Sequence, residues 1–136
     1  MFKRQFGFVA MPFNHTNTDR IFKENIKVAC KKANVKILRV DEDPSTQNII
    51  NKIFSMIREA HFVIFLATNN NPNVFYESGY AFALKKEIIM CAPSLIDLPF
   101  DVRSNVCLAY ENRENLFMEE LETTLLKLRG IKKQKF

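Results

Sequence analysis

The sequence predicts a single-domain α/β protein: a five-stranded parallel sheet with helices on both faces. Three observations carry this. Short apolar runs alternate with helical spacing in the order β-α-β-α-β-α-β-β-α. The third run, Phe62–Leu66, is unbroken by polar residues, as expected for a strand buried on both faces of a parallel sheet. The chain is 136 residues long, the size of one domain, without repeats or Pro/Gly-rich linkers.

Residues 6–11 (FGFVAM) read as the first strand. Residues 19–32 read as a helix, with Phe22, Ile26, Ala29 and Ala33 at helical spacing and Ile21 and Val28 beside them. Residues 35–40 form the second strand. Ser45 is placed to cap a second helix carrying Ile49, Ile50, Ile53, Ile57 and Ala60 on one side. After the third strand, Asn71 is an N-cap candidate and Pro72 suits the first helical position, because its missing N–H has no helical acceptor there. This third helix runs to Lys85 and Lys86, cations suited to a helix C-terminus. Residues 87–91 and 106–110 are strands four and five, joined by a loop with two prolines. Residues 114–129 form a terminal helix, with Phe117, Leu121, Leu125 and Leu128 inward.

Composition narrows the function classes. Hydrophobic residues make up 47% and charged residues 26%, an ordinary globular balance. No apolar run approaches the ~20 residues of a membrane span, and the N-terminus reads as the lead into a strand, not as a signal peptide. A membrane partner is not expected. The three cysteines, Cys30, Cys91 and Cys107, are an odd count without CxxC spacing, which argues against disulfides and zinc and fits a reducing cytoplasm. The net charge of +5 owes much to Arg129, Lys132, Lys133 and Lys135, read as a solubilising terminus; nucleic acid is not expected as a partner.

With three glycines and no GxGxxG or GxxxxGK[ST], a dinucleotide-binding Rossmann domain and a P-loop NTPase are both disfavoured. His15 and His61 lack metal-ligand spacing, no GxSxG supports a serine triad, and neither metal nor cofactor is implied. What remains is a polar set at the strand-to-helix loops: Asp19, Arg39, Asp41, Glu42, Asn71, Asn73, Tyr76, Glu77 and Asp101, with Arg103. Such loops gather at one end of a parallel sheet. Glu77 shares a helical stripe with Val74, Tyr80, Ala81 and Leu84. A carboxylate on a stripe that should pack against a sheet marks a site. Arg39 is expected at the rim or on a phosphate. Carboxylates without a metal suit glycosidic chemistry, in which an anion faces an oxocarbenium-like carbon.

Five segments occur in order: residues 8–13 (FVAMPF), 19–22 (DRIF), 39–42 (RVDE), 71–81 (NPNVFYESGYA) and 99–103 (PFDVR). Together they resemble the nucleoside 2-deoxyribosyltransferase-like superfamily, in particular its small bacterial TIR-like branch, over residues 6–110. The resemblance implies a flavodoxin-like doubly wound fold spanning residues 1–130, followed by a basic tail at 131–136. It implies cleavage or transfer at an N-glycosidic bond of a nucleoside, nucleotide or NAD-like molecule. It makes Glu77 the catalytic carboxylate and places Met11, Pro12 and Phe13 at the base pocket. Asp19, Arg39, Asp41, Asn71, Asn73, Tyr76 and Asp101 complete the expected substrate-binding set.

The branch is commonly dimeric or larger. Phe75, Tyr76, Gly79, Phe82 and Ala83 give the third helix a second apolar face suited to self-association. Leu66 stands where the branch usually carries Asp. That exchange implies a less readily ionised Glu77 and motivates an alternative, a nucleotide-binding sensor without catalysis.

Overall fold

The computed structural model describes residues 5–12, 15–42, 48–68 and 72–134. Its five strands are β1 (Gly7–Ala10), β2 (Ile37–Arg39), β3 (Phe62–Leu66), β4 (Glu87–Ala92) and β5 (Val106–Ala109). All pair in parallel, in the order β2-β1-β3-β4-β5. This is the flavodoxin-like doubly wound order, which reverses direction at β1 and β3. The helices are α1 (residues 16–32), α2 (Ile49–Glu59), α3 (Asn73–Ala83) and α4 (Glu114–Gln134). Among the described residues, no helix is long and apolar enough to cross a membrane.

The two-residue period of the strands divides the core into two layers. Val9, Ile64, Leu66, Ile89 and Cys91 point to one face, where Phe22, Ile26, Phe117 and Leu121 of α1 and α4 cover them. Phe8, Ala10, Val63, Phe65 and Met90 point to the other, where Ile53, Met56 and Ile57 of α2 and Val74 and Ala81 of α3 pack. Between β4 and β5, two short 3-10 turns (Leu95–Asp97 and Phe100–Val102) take the place of a crossover helix. Leu98 and Val102 from this connection join the α2/α3 layer.

Gly7 lies opposite Phe62 in the sheet register. A β-carbon at Gly7 would overlap the Phe62 ring, itself buried. Gly7→Ala is therefore expected to displace that ring and lower stability by about 1–3 kcal/mol, measured by denaturant unfolding.

Several helix ends differ from the sequence-based expectation. The first helix begins at Thr16, not Asp19, because the His15 imidazole Nδ1 accepts from the Thr18 backbone N–H at 3.2 Å and caps it. Five residues of α1, Phe22–Ile26, are π-helical. Ser45 lies outside the described residues; Asn48 caps α2, its side-chain oxygen accepting from the Ile50 N–H at 2.9 Å. Asn71 also lies outside them, and Pro72 occupies the N-cap of α3. Lys86 satisfies a different helix from the one expected: its ammonium donates to the carbonyls of Arg58 and Ala60, at 2.7 Å each, at the end of α2. The terminal helix continues to Gln134, beyond residue 129.

The cysteines are all free, with Cys30 and Cys91 in the core and Cys107 half-buried. Burial pushes the Cys30 thiol up to about 12 and raises those of Cys91 and Cys107, so none is primed as a thiolate.

A carboxyl-bearing cavity at the end of β1

A cavity of about 250 Å³ opens where the carboxyl end of β1 meets α2 and α3. Phe8, Ala10, Met11 and Pro12 line it from β1, and Arg39 and Val40 from the end of β2. Ile49, Ile50, Ile53 and Phe54 come from α2, and Asn73, Val74, Tyr76 and Glu77 from the first turns of α3. The position follows from topology: outside the strand ends, beside the point where the winding reverses, adjacent loops diverge and leave a crevice.

Glu77 is held there by the register of its helix. Val74 and Ala81 anchor α3 to the sheet, and Ser78 is buried between them with its hydroxyl donating to the Phe75 carbonyl at 2.8 Å. Glu77 neighbours this stripe and is turned toward the cavity. Leu84, expected on the stripe, is instead exposed at the helix C-cap. Among the described residues Glu77 forms no hydrogen bond or ion pair. Burial among apolar walls pushes its carboxyl up to about 7. Such a group is shared between acid and carboxylate near neutral pH, the range suited to proton transfer or to supplying an anion.

The other charged wall residue is built differently. The Arg39 side chain is only 16% exposed, and its guanidinium lies over the Phe22 ring, 4.6 Å from the centroid. Its Nε and Nη2 donate to the two carboxylate oxygens of Asp41, both at 2.8 Å, and its Nη1 donates to Asp19 at 2.6 Å. Asp19 also lies 3.4 Å from Lys23, and Arg39, the largest contribution, holds its carboxyl below the usual range. Phe54 meets two aromatic rings of α3 edge-on, Tyr76 at 5.8 Å and Tyr80 at 4.8 Å between centroids.

Of the residues singled out by sequence, the structure brings Met11, Pro12, Arg39, Asn73, Tyr76 and Glu77 to one cavity wall. Asp19 and Asp41 reach it only through Arg39. Phe13 and Asn71 lie outside the described residues. Asp101 is exposed in a 3-10 turn, away from the lining, and forms no ion pair with Arg103, whose Nε donates instead to the Leu98 carbonyl at 2.9 Å.

Leu66 is fully buried on the α1/α4 side of the sheet, so it is not a wall of the Glu77 cavity. The raised Glu77 carboxyl is thus explained by burial at its own site, not by Leu66. Sequence reasoning missed Ile49 and Ile50 as cavity residues, having placed both on the packing side of α2. They are 48% and 55% exposed. No signal in the sequence separated them from Ile53 and Ile57, which follow at helical spacing; they differ in standing in the first turn of α2, beside the cavity.

The backbone arrangement has known counterparts. A TIR domain of a Toll-related receptor from Hydra magnipapillata superposes with a TM-score of 0.65 at 11% identity, covering 88% of this chain and 96% of that one. A 2-deoxyribosyltransferase from Bacillus psychrosaccharolyticus superposes at 0.66 and 12% identity, covering 88% and 94%. The chain has the fold that TIR domains and 2-deoxyribosyltransferases share. A CMP N-glycosidase from Clostridium botulinum has it too, with a TM-score of 0.66 at 17% identity and coverage of 88% and 99%. No protein-family model and no curated protein matches the chain by sequence.

Proposed function

We propose that this protein cleaves, or transfers the sugar across, the N-glycosidic bond of a nucleoside, nucleotide or NAD-like molecule, with Glu77 as the reacting carboxylate. The observation that carries this reading is a carboxyl without a partner among the described residues, raised to about 7, in the cavity at the end of β1. The C1′–N bond breaks with its electron pair leaving on the base. The Glu77 carboxylate stabilises or captures the positive anomeric carbon, and water or a second base completes the exchange. Asn73 and Tyr76, four residues and one residue before Glu77, shape the sugar end, while Met11 and Pro12 line the base end. Glycosidase and transferase activities named for two proteins of the same fold support the reading.

Incubation of the protein with a mixed nucleoside, nucleotide and NAD pool, read by mass spectrometry, is expected to release a free base with its matching sugar. Because the ionised carboxylate is the reactive form, the rate is expected to rise with pH and level off above about 7. A rate falling across that range would exclude the carboxylate role.

A second reading, a nucleotide-binding module without turnover, is favoured by one feature: among the described residues lining the cavity Glu77 is the sole carboxyl, so that described lining offers no partner acid to assist the leaving group. Calorimetric binding without product supports that reading. The outward face of α3, with Tyr76 75% and Phe82 64% exposed, is proposed as a self-association surface. Sedimentation of the wild type against Phe82→Glu tests it, with dissociation of the variant expected.

A further inference from the structure

We infer that the cavity selects an unphosphorylated nucleoside and discriminates against nucleoside 5′-phosphates and dinucleotides. This deepens the function proposed above and rests on the same cavity. A phosphate group carries charge that must be matched by unshared N–H donors or cations when it leaves water. The described walls supply one cation, Arg39, and its donors are committed. Nε and Nη2 form a bidentate pair with Asp41, Nη1 donates to Asp19 and approaches the Met11 sulfur at 3.9 Å, and the guanidinium face is stacked on Phe22. A phosphate reaching Arg39 would have to displace a carboxylate held at 2.6–2.8 Å and then remain beside it.

The surrounding charge works in the same direction. Asp19 and Asp41 place two carboxylates on one guanidinium, Glu77 adds a third carboxyl to the same cavity, and Lys23 lies 3.4 Å from Asp19. The Arg58 guanidinium is hydrogen-bonded to the Tyr80 hydroxyl at 3.0 Å, and neither Arg58 nor Lys52 of α2 lines the cavity. Residues 13–14, 43–47 and 69–71 connect the neighbouring strands and helices, and they contain no lysine or arginine. The rest of the lining is apolar apart from Asn73 and the Tyr76 hydroxyl, which suits the neutral polar surface of a base and a free sugar.

The test compares each common ribo- and deoxyribonucleoside with its own 5′-monophosphate on the wild-type protein, by calorimetry and by kcat/KM for base release. The nucleoside is expected to be favoured at least tenfold in both. Asp41→Asn removes one of the two charges that occupy Arg39 and is expected to shift the ratio toward the monophosphate by tenfold or more. A monophosphate bound or cleaved as well as its nucleoside overturns the inference, and Glu77-dependent turnover would leave the proposed function standing. A nucleoside bound preferentially but never cleaved does the reverse. An unchanged ratio in Asp41→Asn removes the role assigned to the occupied guanidinium, and binding of neither class removes the inference with the site.

Discussion

Glu77→Gln is expected to raise the melting temperature by about 3–10 °C at pH 8 and to leave it unchanged at pH 4. The folded protein keeps the Glu77 carboxyl near 7, against an ordinary value of 4.5. Below 4.5 the group is protonated in both folded and unfolded chains, and no penalty exists. Between 4.5 and 7 the unfolded chain releases the proton while the folded chain retains it, so stability falls as pH rises; above about 7 the penalty is complete. The interval corresponds to roughly 3 kcal/mol, which partial exposure of the site reduces to roughly 1–2 kcal/mol. Glutamine preserves shape without the charge and removes the penalty. At 3–5 °C per kcal/mol, a rough interpolation for a domain of this size, the shift is readily measured by calorimetry at the two pH values. Equal melting temperatures at pH 8 would show that the carboxyl is solvated. A stabilising substitution at the residue assigned the chemistry is the pattern expected where a site is maintained against folding stability.

Phe65→Ala is expected to lower stability by about 3–5 kcal/mol, or roughly 10–25 °C. Phe65 is fully buried in the central strand, between Ala10 of β1 and Met90 of β4 in register. It belongs to the layer that also contains Val74 and Ala81, the two residues seating α3 on the sheet. Truncation leaves a void beneath the helix that positions Glu77. Displacement of a reacting group by about 1 Å can cost on the order of a hundredfold in rate, so turnover is expected to fall as well. Phe65→Leu, which fills much of the void, is expected to recover most of both. Measuring unfolding and turnover for the two variants separates packing from chemistry: loss of stability with normal turnover would show that the seat of α3 does not govern the site.

The parts of the fold legible in sequence were those fixed by continuous apolar pattern. Phe62–Leu66 has no polar interruption, so a central strand was its only economical reading, and β3 occupies those residues. Phe117, Leu121 and Leu125 recur at helical spacing and are fully buried on α4. Helix starts were less legible, because several side chains could serve as caps. Asn48 caps α2, the role assigned to Ser45, and His15 caps α1 although an imidazole is not among the usual N-cap residues. The π-helical segment of α1 left no pattern in the sequence.

At the candidate site, Glu77 stood out because an acid interrupted an apolar stripe. The pairing of Arg39 with Asp19 was hidden, since it joins residues twenty positions apart through tertiary packing, whereas Asp41 stands only two residues away. The significance given to Leu66 also depended on an unseen fact, the face of β3 toward which it points.

The most direct measurement of the central claim is base release from one mixed pool of nucleosides, nucleotides and NAD by the wild type and Glu77→Gln, followed by mass spectrometry. The predicted result is a free base and its sugar accumulating together with the wild type, and at least a thousandfold less with a variant that remains folded, equivalent to about 4 kcal/mol of transition-state stabilisation. Equal product from the two proteins would contradict the account.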